Sequence, residues 1–270
     1  NPIFGMPLRR GSRSLYVMLM FELPILVGIA GTFFIAGTVK GVIGLGLPSI
    51  SLAFLTVLID LPSAMALLLV PSFVTNLWQA FEGGAALVIF KRLWPFLLMA
   101  TGTVWVGALA INWIDPALLS GFLGALLVAY AVLNSSEFKI KISRRNEIWT
   151  GPLFGAANGL FGGMTGSFVA PGVMFLQALK LSRHVFVQAM GILFMASTLA
   201  LAFALQNNNL LNAELGVLSV ASLLPAVLGM VFGQRIRGLM SESVFRRTFY
   251  FSLFILGAYI MVNAIFEYSV

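Results

Sequence analysis

The sequence predicts an all-α polytopic membrane protein made of two inverted repeats, and three observations support this. The 270 residues are 60% hydrophobic and only 9% charged, whereas soluble proteins carry about 25% charged residues. The apolar runs are continuous and do not alternate with polar residues, which favours helices over barrel strands. Two Gly/Pro-rich stretches, 37–51 and 158–171, interrupt these runs at corresponding places. We therefore expect each repeat to hold a Gly/Pro-broken re-entrant hairpin plus three transmembrane helices.

The first interruption reads GTVKGVIGLGLPSIS and contains four glycines and a proline. Each glycine costs about 1 kcal/mol of helix stability relative to alanine, and proline costs about 3 kcal/mol. The composition therefore predicts a broken helix. Inside a membrane, broken backbone is tolerated only where protein or a water-filled cavity satisfies the freed N–H and C=O groups.

The second interruption reads NGLFGGMTGSFVAP and matches the first in pattern. The segment 41–44 aligns with 159–162, because glycines fall at both ends of each, and this alignment sets Lys40 opposite Asn158. Paired interruptions in corresponding positions are a sequence signature of a transport site at the membrane midplane.

The first repeat is assigned to residues 1–134, including a basic N-terminal tail. Residues 15–31 are apolar but contain Glu22 and Pro24, so they form either a short span or a helix lying at the interface. The Asp-Pro pairs at 60–62 and 115–116 are typical of helix starts. After the first break we expect a half-length helix and three spans at 49–59, 63–81, 93–113 and 116–134.

Residues 135–148 are the most polar part of the chain, and we interpret them as a cytoplasmic linker. The second repeat is then 149–270. Its first apolar piece, 149–162, is too short to span alone. After the second break we expect a short helix and three spans at 171–179, 184–205, 215–232 and 244–266.

Net charge is +7, and the basic residues concentrate in the short connections between apolar runs. If each broken segment returns to its own side, connections 82–93, 135–148, 180–184 and 234–247 all fall in the cytoplasm, as the positive-inside rule prefers. An N-terminal tail on that side would require residues 15–31 to cross first. The basic charge thus indicates membrane topology, and we expect no nucleic-acid partner.

Lys40 is the one basic residue within an apolar run. A charge at that depth costs at least about 2.5 kcal/mol, which favours a functional role, although the side chain could instead snorkel to a headgroup. Half-helices beginning near 47–49 and 166–168 would aim backbone N–H groups at an anion. Neighbouring polar side chains could donate hydrogen bonds to it or simply join helices, and the glycines could serve close packing. The candidate substrate-binding residues are Lys40, Gly44, Gly46, Pro48, Ser49, Asn76, Gln79, Asn158, Gly163, Thr165, Gly166, Ser167 and Gln188.

The runs KGVIGLGLPSISLAFL and PSAMALLLVPSFVTNLWQ, together with GLFGGMTGSFVAPGVMFLQALKLSRHVFVQA, resemble the TauE/SafE family of membrane proteins. The resemblance extends over about residues 25 to 265. It implies a multi-pass carrier in the bacterial inner membrane that exports sulfite or a C2 organosulfonate such as sulfoacetate. Many members have three consecutive glycines where this chain has Gly44-Leu45-Gly46.

Other functions remain compatible with the pattern. Broken helices that meet at the midplane also build channels, and a carrier of another anion could work as an uptake system. An ion gradient of H⁺ or Na⁺ would drive a carrier. We expect no enzymatic activity, since His184 is the only histidine, the chain has no cysteine, and Asp60 and Asp115 mark helix starts. We likewise expect no metal site and no cofactor; the expected partners are the small anion and membrane lipid.

Overall fold

The computed structural model describes the backbone of residues 10–135, 141–239 and 242–269, and the side chains of 23–135, 141–237, 239 and 243–268. Over these ranges all secondary-structure elements are helices, with 3₁₀ turns after the fifth and tenth α-helices. The helices are α1 (Arg10–Ile43), α2 (Leu47–Leu58), α3 (Leu61–Phe81), α4 (Ala86–Gly102), α5 (Val104–Leu109), α6 (Pro116–Ser135), α7 (Glu147–Thr165), α8 (Gly172–Ala178), α9 (Arg183–Asn207), α10 (Ala213–Ile236) and α11 (Glu242–Ser269).

Seven helical segments of the described chain are long and apolar enough to cross a membrane. The prediction of an all-α polytopic membrane protein is therefore confirmed. α2 is a shorter apolar helix, at about half the length that a bilayer requires. The seven segments are Leu23–Ile43, Leu61–Phe81, Ala86–Asn112, Pro116–Ser135, Arg183–Asn207, Ala213–Ile236 and Ser243–Tyr268.

The first helix differs from the prediction. Residues 15–31 do not form a separate helix, because α1 continues without interruption from Arg10 to Ile43, and the part of it that is long and apolar enough to span a membrane is Leu23–Ile43. Pro24 lies inside this helix. The expected cytoplasmic position of the N-terminal arginines concerns side chains outside the described residues.

Glycines within α1 serve helix packing and do not break the helix. A Cβ at Gly37 would lie 2.1 Å from the Ala226 carbonyl oxygen, and one at Gly41 would lie 2.2 Å from the Met230 carbonyl oxygen. On the facing helix α10, a Cβ at Gly229 would lie 2.1 Å from the Phe34 carbonyl oxygen. The two backbones approach this closely only because these positions lack side chains.

The actual first break spans only Gly44 to Gly46. Gly44 and Gly46 have φ values of 83° and 106°, a left-handed region that glycine adopts without the cost of a Cβ. Beyond the break α2 runs back along α1, since Leu58 Cδ1 would be 3.2 Å from a Cβ at Gly28. The hairpin thus has one long arm and one half-length arm.

The second break begins later than predicted. α7 continues through 159–163 to Thr165, and Gly166 ends it with φ 74°. The next helix, α8, starts at Gly172. The expected helix N-terminus at 166–168 is therefore wrong. Gly163 is a packing position within α7, where a Cβ would lie 2.2 Å from the Val104 carbonyl oxygen.

The two halves are interleaved. The main packing pairs are α1 with α10, α4 and α5 with α7, α3 with α9, and α6 with α11. Every pair joins a helix before the linker to one after it. The pairs are also symmetric: if α1 corresponds to α7, and α4 with α5 corresponds to α10, then the contact of α1 with α10 matches that of α7 with α4 and α5. The assignment of 1–134 and 149–270 as repeats, and their inverted orientation, stay predictions.

Basic connections gather on one face of the helix bundle. Arg92 in α4 forms an ion pair with Glu147 at the start of α7, with Nη2 and Oε1 2.5 Å apart. The Ile142 N–H donates to the Ala178 carbonyl at 3.2 Å, so the end of α8 reaches the same face. The centre of the linker, 136–140, lies outside the described residues.

Candidate anion site

Lys40 lies in the last turn of α1 and is only 3% exposed. Its ammonium donates to the Asn76 side-chain oxygen of α3. The Asn76 amide nitrogen in turn donates to Ser72 Oγ at 3.1 Å, and Ser72 Oγ lies 3.2 Å from Thr198 Oγ1 of α9. A continuous polar chain therefore leads from Lys40 to the middle of α3.

Lys40 is the only Lys, Arg, Asp or Glu among the buried residues of the described ranges. The side chain does not snorkel to the surface, because its nitrogen is held by Asn76 within the helix bundle. A neutral amide solvates the ammonium without neutralising it. The remaining positive charge makes this the place in the described core that best suits an anion.

Gln79 and Gln188 hold main-chain groups. Gln79 Nε2 donates to the Gly44 carbonyl at 2.7 Å, which fixes the first break. Gln188 Nε2 donates to the Ala80 carbonyl at 2.8 Å, and its Oε1 accepts from the Ala85 N–H at 2.9 Å. The Gln79 amide therefore positions the first break, and the Gln188 amide positions the end of α3 and the residue before α4.

Asn158 makes no hydrogen bond to Lys40 within the described residues. Its Oδ1 accepts from the Gly172 N–H at 2.9 Å, which closes the second hairpin. Its Nδ2 is buried and has no hydrogen-bond partner within the described structure. Thr165 and Ser167 belong to the same turn: Thr165 Oγ1 donates to the Phe161 carbonyl at 2.8 Å and accepts from the Ser167 N–H at 3.3 Å.

The two breaks lie at different depths. Gly44 approaches Gln79 near the end of α3, whereas Gly166 approaches Met65 near its beginning. These positions on α3 are 14 residues apart, about 21 Å at 1.5 Å per residue. The sequence predicts that 44–49 and 162–168 meet at one site, and this meeting stays a prediction. A Cβ at Gly166 would lie 3.3 Å from Leu52 Cδ2, in the second turn of α2.

The start of α2 fits the predicted half-helix. Its N-cap is Gly46, which has no side chain to cap the first N–H groups, and Pro48 is in the first turn. Ser49 is fully buried, and its Oγ has no partner within the described residues. A Cβ at Gly46 would lie 3.0 Å from the Phe249 ring. This N-terminus is therefore enclosed by apolar side chains.

Ser219 of α10 is a structural polar residue that the sequence patterns did not single out. Pro71 has no N–H, so the Leu67 carbonyl lacks its usual donor within α3. Ser219 Oγ donates to that carbonyl at 2.9 Å and accepts from the Val70 N–H at 3.1 Å. Because this pairing joins helices far apart in sequence, only the tertiary structure reveals it.

A cavity of about 530 Å³ opens beside the first break. Leu45 reaches it from the break, and Val187 of α9, which also approaches Gly44, forms part of its wall. No Asp or Glu lines it among the described residues. Its lining includes the basic residues Lys141, Lys180, Arg183 and Arg246.

The seven long apolar helices of the described chain define a multi-pass membrane protein. The chain belongs to the sulfite exporter TauE/SafE family, whose model matches residues 29–260. The predicted family membership is thereby confirmed, and with it a transporter class that handles sulfur-containing anions. No curated protein and no solved structure matches the chain.

Proposed function

We propose that this protein is a secondary carrier that exports a small sulfur-containing anion across the bacterial inner membrane. The anion is sulfite or a C2 organosulfonate such as sulfoacetate, and Lys40 provides the positive charge that receives it. The observation that carries the proposal is the burial of Lys40 with a neutral amide, Asn76, as its side-chain partner.

The energetic reasoning starts from the cost of burying an ammonium group, which is at least about 2.5 kcal/mol at the centre of a membrane helix. A neighbouring carboxylate would offset this cost permanently, but the described buried residues include none. A bound anion offsets the cost only while it is present. Such an arrangement couples the energy of a conformation to the presence of substrate, as a carrier requires.

The polar chain next to Lys40 supplies further contacts. Ser72 and Thr198 carry hydroxyl groups that can rotate to donate to sulfite or sulfonate oxygens. Ser72 lies one turn before Asn76 on α3, and Thr198 lies on the facing helix α9. An anion that leaves the ammonium toward the middle of the membrane would meet these groups next.

The first break separates the basic cavity from Lys40. Leu45 lines the cavity, and the Gly44 carbonyl is held by Gln79. We infer that an anion reaches Lys40 when this short break moves, and that 44–46 acts as the inner gate. Glycine at both ends of the break lets the backbone change conformation at low cost.

Flux into proteoliposomes tests the function. Labelled sulfite and sulfoacetate should move, saturate and show counterflow. Lys40→Ala should reduce flux at least tenfold, Lys40→Arg should retain part of it, and the exposed Lys91→Ala should be the unaffected control. If neither sulfite nor sulfoacetate moves, the substrate class is refuted. Flux without saturation or counterflow would indicate the channel alternative.

Coupling is tested in the same vesicles. Imposed gradients of H⁺ and of Na⁺ are compared at fixed anion concentration. We expect one of them to drive accumulation against the anion gradient. Equal accumulation with and without both gradients would contradict a coupled carrier.

A further inference from the structure

We propose that the basic cavity is a second anion site, which captures organic dianions with two separated negative groups before they reach Lys40. The choice of sulfonate chemistry rests on the proposed function. The existence of the site rests on the cavity itself, which is lined by different residues and lies outside the first break.

The cations come from three separate parts of the chain. Lys141 precedes α7, Lys180 and Arg183 flank the turn between α8 and α9, and Arg246 belongs to α11. They approach from different parts of the fold, and no Asp or Glu lines the cavity within the described residues, so the charged side chains of the described lining are all basic. A cleft lined by one sign of charge raises the local concentration of the opposite ion.

The start of α9 adds to this positive charge. Arg183, Phe186 and Val187 from its first turns line the cavity. The Ser182 cap makes no side-chain hydrogen bond, and the first turn contains no acidic residue. The positive end of the helix dipole is therefore not offset by a local carboxylate.

The cavity is larger than a simple oxyanion needs. It has a volume of about 530 Å³, whereas one water molecule occupies about 30 Å³ in the liquid. Between the cations, the wall includes apolar side chains such as Leu133, Met174 and Phe186. This combination suits a short carbon chain with an anionic group at each end, as in a C2 sulfocarboxylate.

Lys180 follows the C-cap of α8 with φ 51°, the left-handed conformation in which helices commonly end. This turn brings the lysine to the wall of the cavity.

Calorimetry on purified Lys40→Ala protein tests the proposal, because that substitution removes the inner cation. Three ligands share a two-carbon sulfonate skeleton: sulfoacetate is a dianion, ethanesulfonate a monoanion and taurine a zwitterion. At low ionic strength we expect sulfoacetate to bind at least tenfold more tightly than ethanesulfonate, and taurine to bind most weakly. Equal affinity for sulfoacetate and ethanesulfonate would overturn the two-group assignment.

Cavity variants supply the second arm. In the Lys40→Ala background, Lys141→Gln with Arg246→Gln should weaken sulfoacetate binding at least tenfold, and Lys180→Gln should also weaken it. Arg144→Gln is the matched control, since Arg144 is exposed near Lys141 but does not line the cavity. Thermal melting and gel filtration verify that each variant is folded. Binding that is unchanged in folded cavity variants would refute the site.

The two proposals fail separately. If wild-type protein shows no flux but the Lys40→Ala protein binds in the expected order, the cavity site stands and the transport proposal falls. If flux depends on Lys40 while cavity variants bind and transport like wild type, the transport proposal stands and the cavity site falls.

Discussion

The Lys40 ammonium donates to Asn76 Oδ1, joining α1 to α3 across 36 positions in the sequence. The contact gives the buried cation a dipole as partner and leaves its charge uncompensated. The positive charge is therefore free to attract an anion. A single substitution that places a carboxylate beside Lys40 should remove this attraction.

Asn76→Asp should abolish transport while preserving or raising stability. The new carboxylate would form a permanent ion pair with Lys40 and compete with the substrate for it. We expect flux to fall at least tenfold and the melting temperature to stay level or rise. Reconstituted flux and thermal melting measure the two effects.

Two comparisons sharpen that prediction. Asn76→Ala, which removes the partner without adding charge, should lower the melting temperature. The double variant Lys40→Ala/Asn76→Asp should be less stable than Asn76→Asp alone, because its carboxylate is buried without a cation. Normal flux in Asn76→Asp would show that Lys40 does not contact the anion.

Ser219→Ala should destabilise the protein by about 1 kcal/mol. The Leu67 carbonyl would lose its donor, and a buried unpaired carbonyl costs about 1–3 kcal/mol, although hydrogen bonds between membrane helices average only about 0.6 kcal/mol. Ser222→Ala on the same helix serves as the control. Denaturant unfolding in detergent gives the difference.

Pro71→Ala provides a double-mutant test of the same pairing. Alanine at position 71 restores an N–H that can donate to the Leu67 carbonyl within α3. Ser219→Ala should therefore cost less in this background than in wild type. Equal costs in both backgrounds would mean that Ser219 does not compensate for the proline.

Gln188→Ala should lower stability by about 1–3 kcal/mol and leave the KM for transport unchanged. The substitution removes the hydrogen-bond partner of the Ala80 carbonyl and of the Ala85 N–H, and unpaired buried groups carry this cost. Gln206→Ala in the same helix is the exposed control. A raised KM with unchanged melting would instead assign Gln188 to the substrate, as the sequence first suggested.

Gly37→Ala should prevent normal assembly, whereas Gly31→Ala should be tolerated. A Cβ at position 37 would lie 2.1 Å from the Ala226 carbonyl oxygen, while one at position 31 has no neighbour within 4 Å. Alanine also favours helix over glycine by about 1 kcal/mol. Folded yield by gel filtration should separate the two variants, and equal yields would show that α1 and α10 can move apart.

Several elements could be predicted because their causes are local. Asp60 was expected to start a helix, and it does so by accepting from the Ser63 N–H at 2.8 Å. The beginning of α2 next to Pro48 was also predicted correctly, since proline fits the first turn of a helix. The long apolar run predicted a deeply placed Lys40, and the structure shows that its side chain is buried.

The limits of the broken segments could not be predicted in this way. Glycine favours a chain break and close helix packing equally well, so composition alone placed the first break too early. Gly41 remains helical because α10 packs against it, whereas Gly44 turns the chain. The difference depends on which helix lies opposite, and that helix is distant in sequence.

The sequence by itself determined a multi-pass helical membrane protein with paired breaks and one deeply placed cation, because hydropathy, glycine and proline act locally. Only the tertiary structure decided that Lys40 meets Asn76, that the two breaks lie at different depths, and that cations from three parts of the chain surround one cavity. These relationships depend on packing between distant helices, and local preferences do not specify that packing.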